Sequence, residues 1–535
     1  MPTFRTLLPL LAAGLLAAQA ARPGETTPTV AEAPLRAHLA FLSDDLLEGR
    51  GTGQRGGELT VRYLETQLQV LGLQPAQGAA YRQPVALAGI RTLPGHSILS
   101  FAGGGTCATP AFGTEIVYGA GQPKASLALD APLVFVGYGI TDPAEPWDDY
   151  KGLDVKGKVL IMLVNEPAPT AAEPNRFGGQ DLTYDGRWTY KFEEAARRGA
   201  AGVLLIHTTA SASYGWGVVQ NGWDAERFQL AAHDEGTPLQ GWLTEATARK
   251  LFTQGGQNLD ALTARAQTRD FRPVPLDLRA EGTLVSEVRT VPQFNVAGVV
   301  PGTDPKLKDE VVIYSAHWDH LGKGAAPAPD AHGDSIYNGA VDNASGCAAL
   351  LAMAQAAVHH PAKRSQMFLF VCAEEQGLLG SKGYAAHPLW PLATTAADLN
   401  LDSLNFVAPT RDIGLPFADR STLGALGATV AQADHLVVGA PRPDTAGGYF
   451  RSDHYSFVQA GVPALSIHGG HDFISSNVPA AQAEAAAYGA RYHQVTDEYD
   501  PAWDLAGMVQ QAQFTLDLGQ AVANAPTRPT FKAAR

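Results

Sequence analysis

Val311-Val312-Ile313-Tyr314 is a short β-type run that continues into Ala316-His317-Trp318-Asp319-His320, and Gly339-Ala340-Val341-Asp342-Asn343-Ala344-Ser345-Gly346 then opens an amphipathic helix over residues 345–357. A second run, residues 367–372, ends in Ala373-Glu374-Glu375-Gln376-Gly377, and a third, residues 399–401, ends in Asp402-Ser403. Strands that alternate with helices predict a parallel α/β sheet with helices on its faces. Such a sheet gathers its ligands outside the carboxyl ends of the strands, so the imidazoles and acids at these ends are expected at one crevice. Residues 463–467 read as a further strand, Tyr492-His493-Gln494-Val495-Thr496-Asp497 follows, and Leu505, Met508, Val509, Ala512 and Leu516 mark a terminal helix by their spacing.

Two His and several carboxylates meeting at one strand-end crevice suit a pair of zinc ions that share a bridging carboxylate. Water between two such ions ionises near neutral pH, and an adjacent Glu is then free to act as general base. Taken singly, each residue has a plainer reading. Asp342 caps a helix, and Glu374 with Glu375 is a solvated loop pair. Five separate segments that bring acids and imidazoles to one sheet edge favour the metal site over coincidence.

Outward from this core, residues 36–72 carry a helical signal with Leu64, Leu68 and Leu71 on one stripe and Gly72 at a C-cap position, and residues 43–53 form a Gly-rich loop. From about residue 130 the texture turns to short β-type runs, 133–139, 158–164 and 200–206, with a helical stretch over 190–198, which predicts a β-rich module of its own. In the whole chain of 535 residues, 45% are hydrophobic and only 17% charged, which excludes a disordered, charge-rich polymer. The net charge of -14 repels phosphate backbones and anionic membranes, so nucleic acid is excluded as a partner.

Residues 1–20 carry one early charge, Arg5, then an apolar run and Ala18-Gln19-Ala20, the pattern of an export signal with its cleavage site. No stretch is long enough for a membrane span, so the expected product is an exported, periplasmic or secreted protein. Cys107, Cys347 and Cys372 are too few, and two of them too apolar in context, for a disulfide framework.

The series Ala316-His317-x-Asp319-His320-x-Gly322, Gly339-Ala340-x-Asp342-Asn343-Ala344-Ser345-Gly346, Glu374-Glu375-x-Gly377, Leu401-Asp402 and Tyr492-His493-x-x-x-Asp497 resembles, in order and local context, the motifs of the M28 family of co-catalytic zinc peptidases. Asp44 to Gly53 with Gly56-Gly57-Glu58 resembles the opening of the mature domain in that family. Gly137-Tyr138-Gly139, residues 154–159 and Ala195-x-x-x-Gly199-Ala200-Ala201-Gly202 resemble a protease-associated (PA) domain. The resemblance implies an α/β zinc-peptidase fold with a mixed, mostly parallel central sheet flanked by helices and interrupted by a β-rich PA insert. Residues 1–20 would be the signal peptide, 30–129 and 285–525 the catalytic domain, and 130–270 the insert.

Residue by residue, the resemblance implies that His317, Asp342 and Asp402 hold one Zn²⁺ and Asp342, Glu375 and His493 the second. Glu374 would be the general base, and the Asp319 carboxylate would orient His317. Asp497 serves His493 in the same way or is a helix N-terminal acid. Tyr492 donates its hydroxyl to the developing oxyanion or packs under the ligand strand. Residues 451–457 resemble a family loop at the substrate pocket, where His454 touches substrate or braces the scaffold. Residues 323–334 depart from the pattern as a Pro-rich loop at the site mouth, with an extra metal site on His332 and Asp334 as the other reading. The implied activity is removal of N-terminal residues from peptides. A glutamate carboxypeptidase-like activity would want an Arg cluster that is not evident in the sequence. A one-zinc glutaminyl cyclase does not suit the paired Glu, and a non-catalytic binding module does not need Glu374.

Overall fold

The computed structural model describes residues 28–231, 236–324 and 333–532, so the expected export signal and His332 lie outside the described residues. Two helices, α1 (Glu32–Leu42) and α2 (Arg55–Val70), open the fold, separated by a tight turn over residues 45–50. Leu64 and Leu68 are buried on the inner face of α2, and Gly72 ends the helix at φ +79°, where the Leu73 amide bonds back to the Leu68 carbonyl.

The strand β1 (Arg82–Thr92) leads into a second body built on β2 (Ser126–Phe135), β3 (Val159–Leu163), the helix α3 (Trp188–Arg197), β4 (Gly202–His207) and β5 (Leu239–Thr244). Here β2, β3, β4 and β5 lie side by side in parallel. Val159 and Ile161 face one apolar cluster while Leu160 and Met162 face another, so the strands are apolar throughout because both sheet faces are covered. The first of these clusters also takes in Leu99, Phe101, Ile116 and Tyr118. The second body therefore begins upstream of residue 130, where the change in sequence texture marks it.

The long strand β6 (Val274–Val300) belongs to both bodies. Its Arg279–Val285 stretch pairs antiparallel with β2, and Ser286–Val296 pairs antiparallel with β1. It is followed by β7 (Val311–His317), α4 (Ser345–Val358), β8 (Ser365–Val371), α5 (Leu379–Ala386), β9 (Thr395–Leu401), α6 (His454–Gln459), β10 (Ala464–Gly469), α7 (Val478–Arg491) and α8 (Ala506–Asn524).

The central sheet runs β1-β6-β8-β7-β9-β10, with β8, β7, β9 and β10 parallel and β6 antiparallel to β8. Val312 and Tyr314 bury one face of β7, and Val311 and Ile313 the other. The fold is the mixed, mostly parallel α/β sheet flanked by helices that the strand–helix alternation predicts. One element differs from expectation. α4 is buried on nearly every side rather than amphipathic, with Gln355 its exposed residue, because it lies against the sheet and between α1 and α8. Gly346 at its start has no room for a side chain, since a Cβ would lie 2.7 Å from the Leu401 carbonyl oxygen.

Among the described residues no helix is long and apolar enough to cross a membrane. Cys347 and Cys372 are buried free thiols and Cys107 an exposed one.

Candidate metal centre

Because β7, β8 and β9 are parallel, their carboxyl ends share one edge, and His317, the Glu374-Glu375 pair and Asp402 emerge there together. Asp342 is delivered by the turn before α4, and His493 by the turn after α7. His317 Nε2 lies 3.2 Å from Asp342 Oδ1 and 3.4 Å from Asp402 Oδ1. On the other side of Asp342, Oδ2 lies 3.2 Å from His493 Nε2, which is 3.2 Å from Glu375 Oε2.

These spacings test the fit of a metal directly. Ligand atoms around a tetrahedral zinc, each about 2.0–2.1 Å from the ion, are separated by about 3.3–3.4 Å. The donor sets on both sides of Asp342 have that spacing, and the buried His493 Nε2 makes no hydrogen bond. A carboxylate placed to use one oxygen on each side is what a shared ligand requires.

The electrostatics point the same way. Burial opposes charge on His317, yet Glu374 and Asp402 outweigh it and carry the imidazole well above its usual pKa. His493 is pushed up to about 10 against burial by Glu375 and Asp342. Burial raises Glu375, but the His493 and His320 imidazoles win and hold it at about 2. Burial, then Glu375 and Asp402, push Glu374 well up, with His317 opposing. The pocket thus concentrates negative charge and calls for cations.

Three expected roles are distributed differently. The Asp319 carboxylate is 3.9 Å from His317 Nδ1, which bonds instead to the Asp319 main-chain carbonyl at 3.1 Å. The carboxylate is turned to accept from the Glu374 amide at 3.0 Å, so Asp319 orients one residue through its backbone and another through its side chain. Asp497 does not serve His493. Its two oxygens accept from the amides of Val341 and Asp342, which fixes the turn that presents Asp342. Tyr492 is 46% exposed, stacks on His493 with centroids 3.9 Å apart, and lines the cavity beside the site.

His454 also lines that cavity of 370 Å³, fully buried and with neither ring nitrogen bonded. Burial, then His468 and Arg420, push its pKa down to about 3, so the ring is neutral. Asp334 packs no metal cluster among the described residues.

Two residues escaped the sequence reasoning. His320, quoted there without a role, bonds Glu375 Oε1 through Nδ1 at 2.7 Å and forms with Asp342 and Glu375 a trio of close donors. Its signal was its place three residues after His317. Arg50, fully buried, donates to the carbonyls of Trp318, Leu42, Asn338 and Gly339, and so ties the β7 end to the Asp342 turn. A lone Arg in a Gly-rich loop gives no such warning.

Residues 295–516 match the family model described as Peptidase family M28. Over these residues the chain is similar to that family. Over 216 residues the chain is 29% identical to a probable leucine aminopeptidase 2 of Aspergillus oryzae (strain ATCC 42149 / RIB 40), an alignment that covers 38% of this chain and 40% of that protein. The likeness thus spans about two fifths of the relative's length. The aminopeptidase from Aneurinibacillus sp. strain AM-1 superposes with a TM-score of 0.53 at 21% identity, over 95% of this chain and 97% of that one. The central sheet and the second body together therefore follow one known overall fold.

Proposed function

We propose that this protein is an exported aminopeptidase of the M28 family that works with two zinc ions and removes N-terminal residues from peptides. The observation that carries the proposal is the pair of donor sets sharing Asp342, each with the spacing of zinc ligands. His317, Asp342 and Asp402 would hold one ion, and Asp342, Glu375 and His493 the other. When bound, the ions lower the pKa of water and polarise the scissile carbonyl.

The chain's own residues supply the rest. Glu374 Oε2 sits 4.0 Å from His317 Nε2, near the centre without joining either donor set, and its amide is pinned by Asp319. That position suits a general base, which accepts the proton of the attacking water and passes it to the leaving amine. Tyr492 borders the cavity with its ring held flat on His493. A hydroxyl donor there that meets the developing oxyanion is worth about 3 kcal/mol. His454, neutral and buried edge-on against Tyr449, braces the cavity wall. The carboxylates attract the free α-ammonium of a peptide. The run at residues 1–20 supports export, and the motifs within 130–270 support a PA domain bordering the cleft.

A second reading is favoured by Arg442 and Arg451, both of which line the cavity. These are the cationic groups that a carboxypeptidase needs and that the sequence did not place. Acetylation and amidation separate the two. Hydrolysis of Leu- or Ala-type aminoacyl substrates, near-complete loss with their N-acetylated forms and indifference to C-terminal amidation are the outcomes expected here. Tolerance of acetylation with sensitivity to amidation would establish the carboxypeptidase.

A further inference from the structure

Much of the wall of the cavity comes from residues 442–452, including Pro443, Asp444, Tyr449 and Ser452. Among the described residues, the main chain of 441–447 has one internal bond, from the Gly447 amide to the Asp444 carbonyl, and is otherwise bonded by Phe450, by Arg451 and by a segment of the second body. The Leu182 amide donates to the Asp444 carbonyl at 2.9 Å, and the Asp444 amide donates to Asp181 Oδ1 at 2.6 Å. Arg187 Nη1 reaches the Ala446 carbonyl at 3.3 Å. Gly447, at φ +66°, lies so close to this segment that a Cβ would come 2.9 Å from Arg187 Cδ and 3.1 Å from Leu182 Cδ2. Just beyond, the Tyr184 ring packs on Phe450 at 5.6 Å and on Tyr455 at 5.2 Å.

The segment is itself held from behind. Glu166 accepts from the amide and hydroxyl of Thr183, and fully buried Lys191 donates to the Asp185 carbonyl at 2.6 Å. The loop in turn reaches the metal donors. Ser452 donates to Asp402 Oδ2 at 2.7 Å and accepts from Asn400, which is bonded to Ser315 on β7.

We propose that Asp181–Arg187 is a positioning strap, by which the inserted body clasps the 442–452 loop into place and so sets which substrate side chains the cavity accepts. The strap is read from contacts alone, while its effect on substrates rests on the aminopeptidase reading. A cavity wall that depends on one backbone bond, one carboxylate and one guanidinium loosens when any of them is removed, and small misplacements of a binding wall are costly.

The test uses the full zinc-loaded chain with Asp181→Ala, Arg187→Ala and Asp181→Asn. Asn retains an oxygen for the Asp444 amide, so it is the conservative rescue. Expected for both Ala variants are unchanged zinc content, a KM for a Leu-type aminoacyl substrate raised on the order of tenfold with a smaller change in kcat, and a Leu-to-Ala selectivity ratio that falls toward one. Amide exchange over residues 444–449 should accelerate in the Ala variants, and Asp181→Asn should return both readouts toward wild type. Folded Ala variants with wild-type selectivity and wild-type exchange would overturn the strap. A wild-type chain inactive on aminoacyl substrates would instead sink the aminopeptidase reading, and the exchange comparison would still decide whether the clasp exists.

Discussion

Glu374 and Glu375 are one peptide bond apart and face opposite duties. Glu375 is fixed between His320 and His493, whereas Glu374 is anchored by its amide and leaves its carboxylate beside the donors. Glu374→Gln keeps size and both donor sets, so metal content should match that of the wild type while kcat falls by about 10²–10⁴-fold. Glu375→Gln should lower the zinc content instead. Metal analysis with steady-state kinetics checks both, and zinc loss in Glu374→Gln would overturn the assignment. The residues that meet at the sheet edge were legible because acids and imidazoles at strand ends stand out and their order is informative. The residues that place them were not. Asp319 acts through a main-chain carbonyl, Asp497 through two amides far from it in sequence, and Arg50 through four carbonyls, and no residue pattern announces a bond to backbone.

At the level of elements, strands β7 to β10 were readable from short apolar runs, since strands buried on both faces are continuous in composition. α4 was misjudged because its few polar positions give the appearance of a face, while α1 and α8 cover it. The junction of α1 and α2 offers a pH test. His38 on α1, buried, shares a hydrogen bond between Nδ1 and the Tyr63 hydroxyl on α2 at 2.8 Å, and burial lowers its pKa to about 4. The unfolded chain takes up the proton near pH 6.5, and the folded chain resists it until about 4. The stabilisation is therefore complete above about pH 6.5 and is lost as pH falls toward 4, amounting to roughly 3 kcal/mol at most. Urea unfolding at pH 7 and pH 4.5 should show a larger loss in the wild type than in His38→Gln. Equal losses would show that His38 does not titrate in this way.

For the whole molecule, the two donor sets join segments from the β7 end to the turn after α7, so metal binding should stabilise most of the sequence at once. At a free zinc concentration 1,000 times Kd the gain is about 4 kcal/mol. Chelation should lower Tm in a single calorimetric transition and abolish turnover, and zinc should restore both. Two separate transitions, with only one sensitive to chelator, would show that the bodies melt apart. The apolar core of the second body also takes in Leu99, Phe101 and Ile116, which lie upstream of the change of texture near residue 130. The shared strand β6 also bears on how such a protein can change over evolutionary time or at the bench. A module joined by two loose ends can be exchanged like a cassette. Here a cut at residue 130 falls inside β2, whose Ser126–Pro132 stretch pairs with Arg279–Val285 of β6, so a graft of 130–270 that breaks this register would expose a backbone edge of β6 that invites aggregation. Sequence drift within the insert must stay compatible with a strand that the peptidase sheet also uses, so the two bodies are constrained to diverge together.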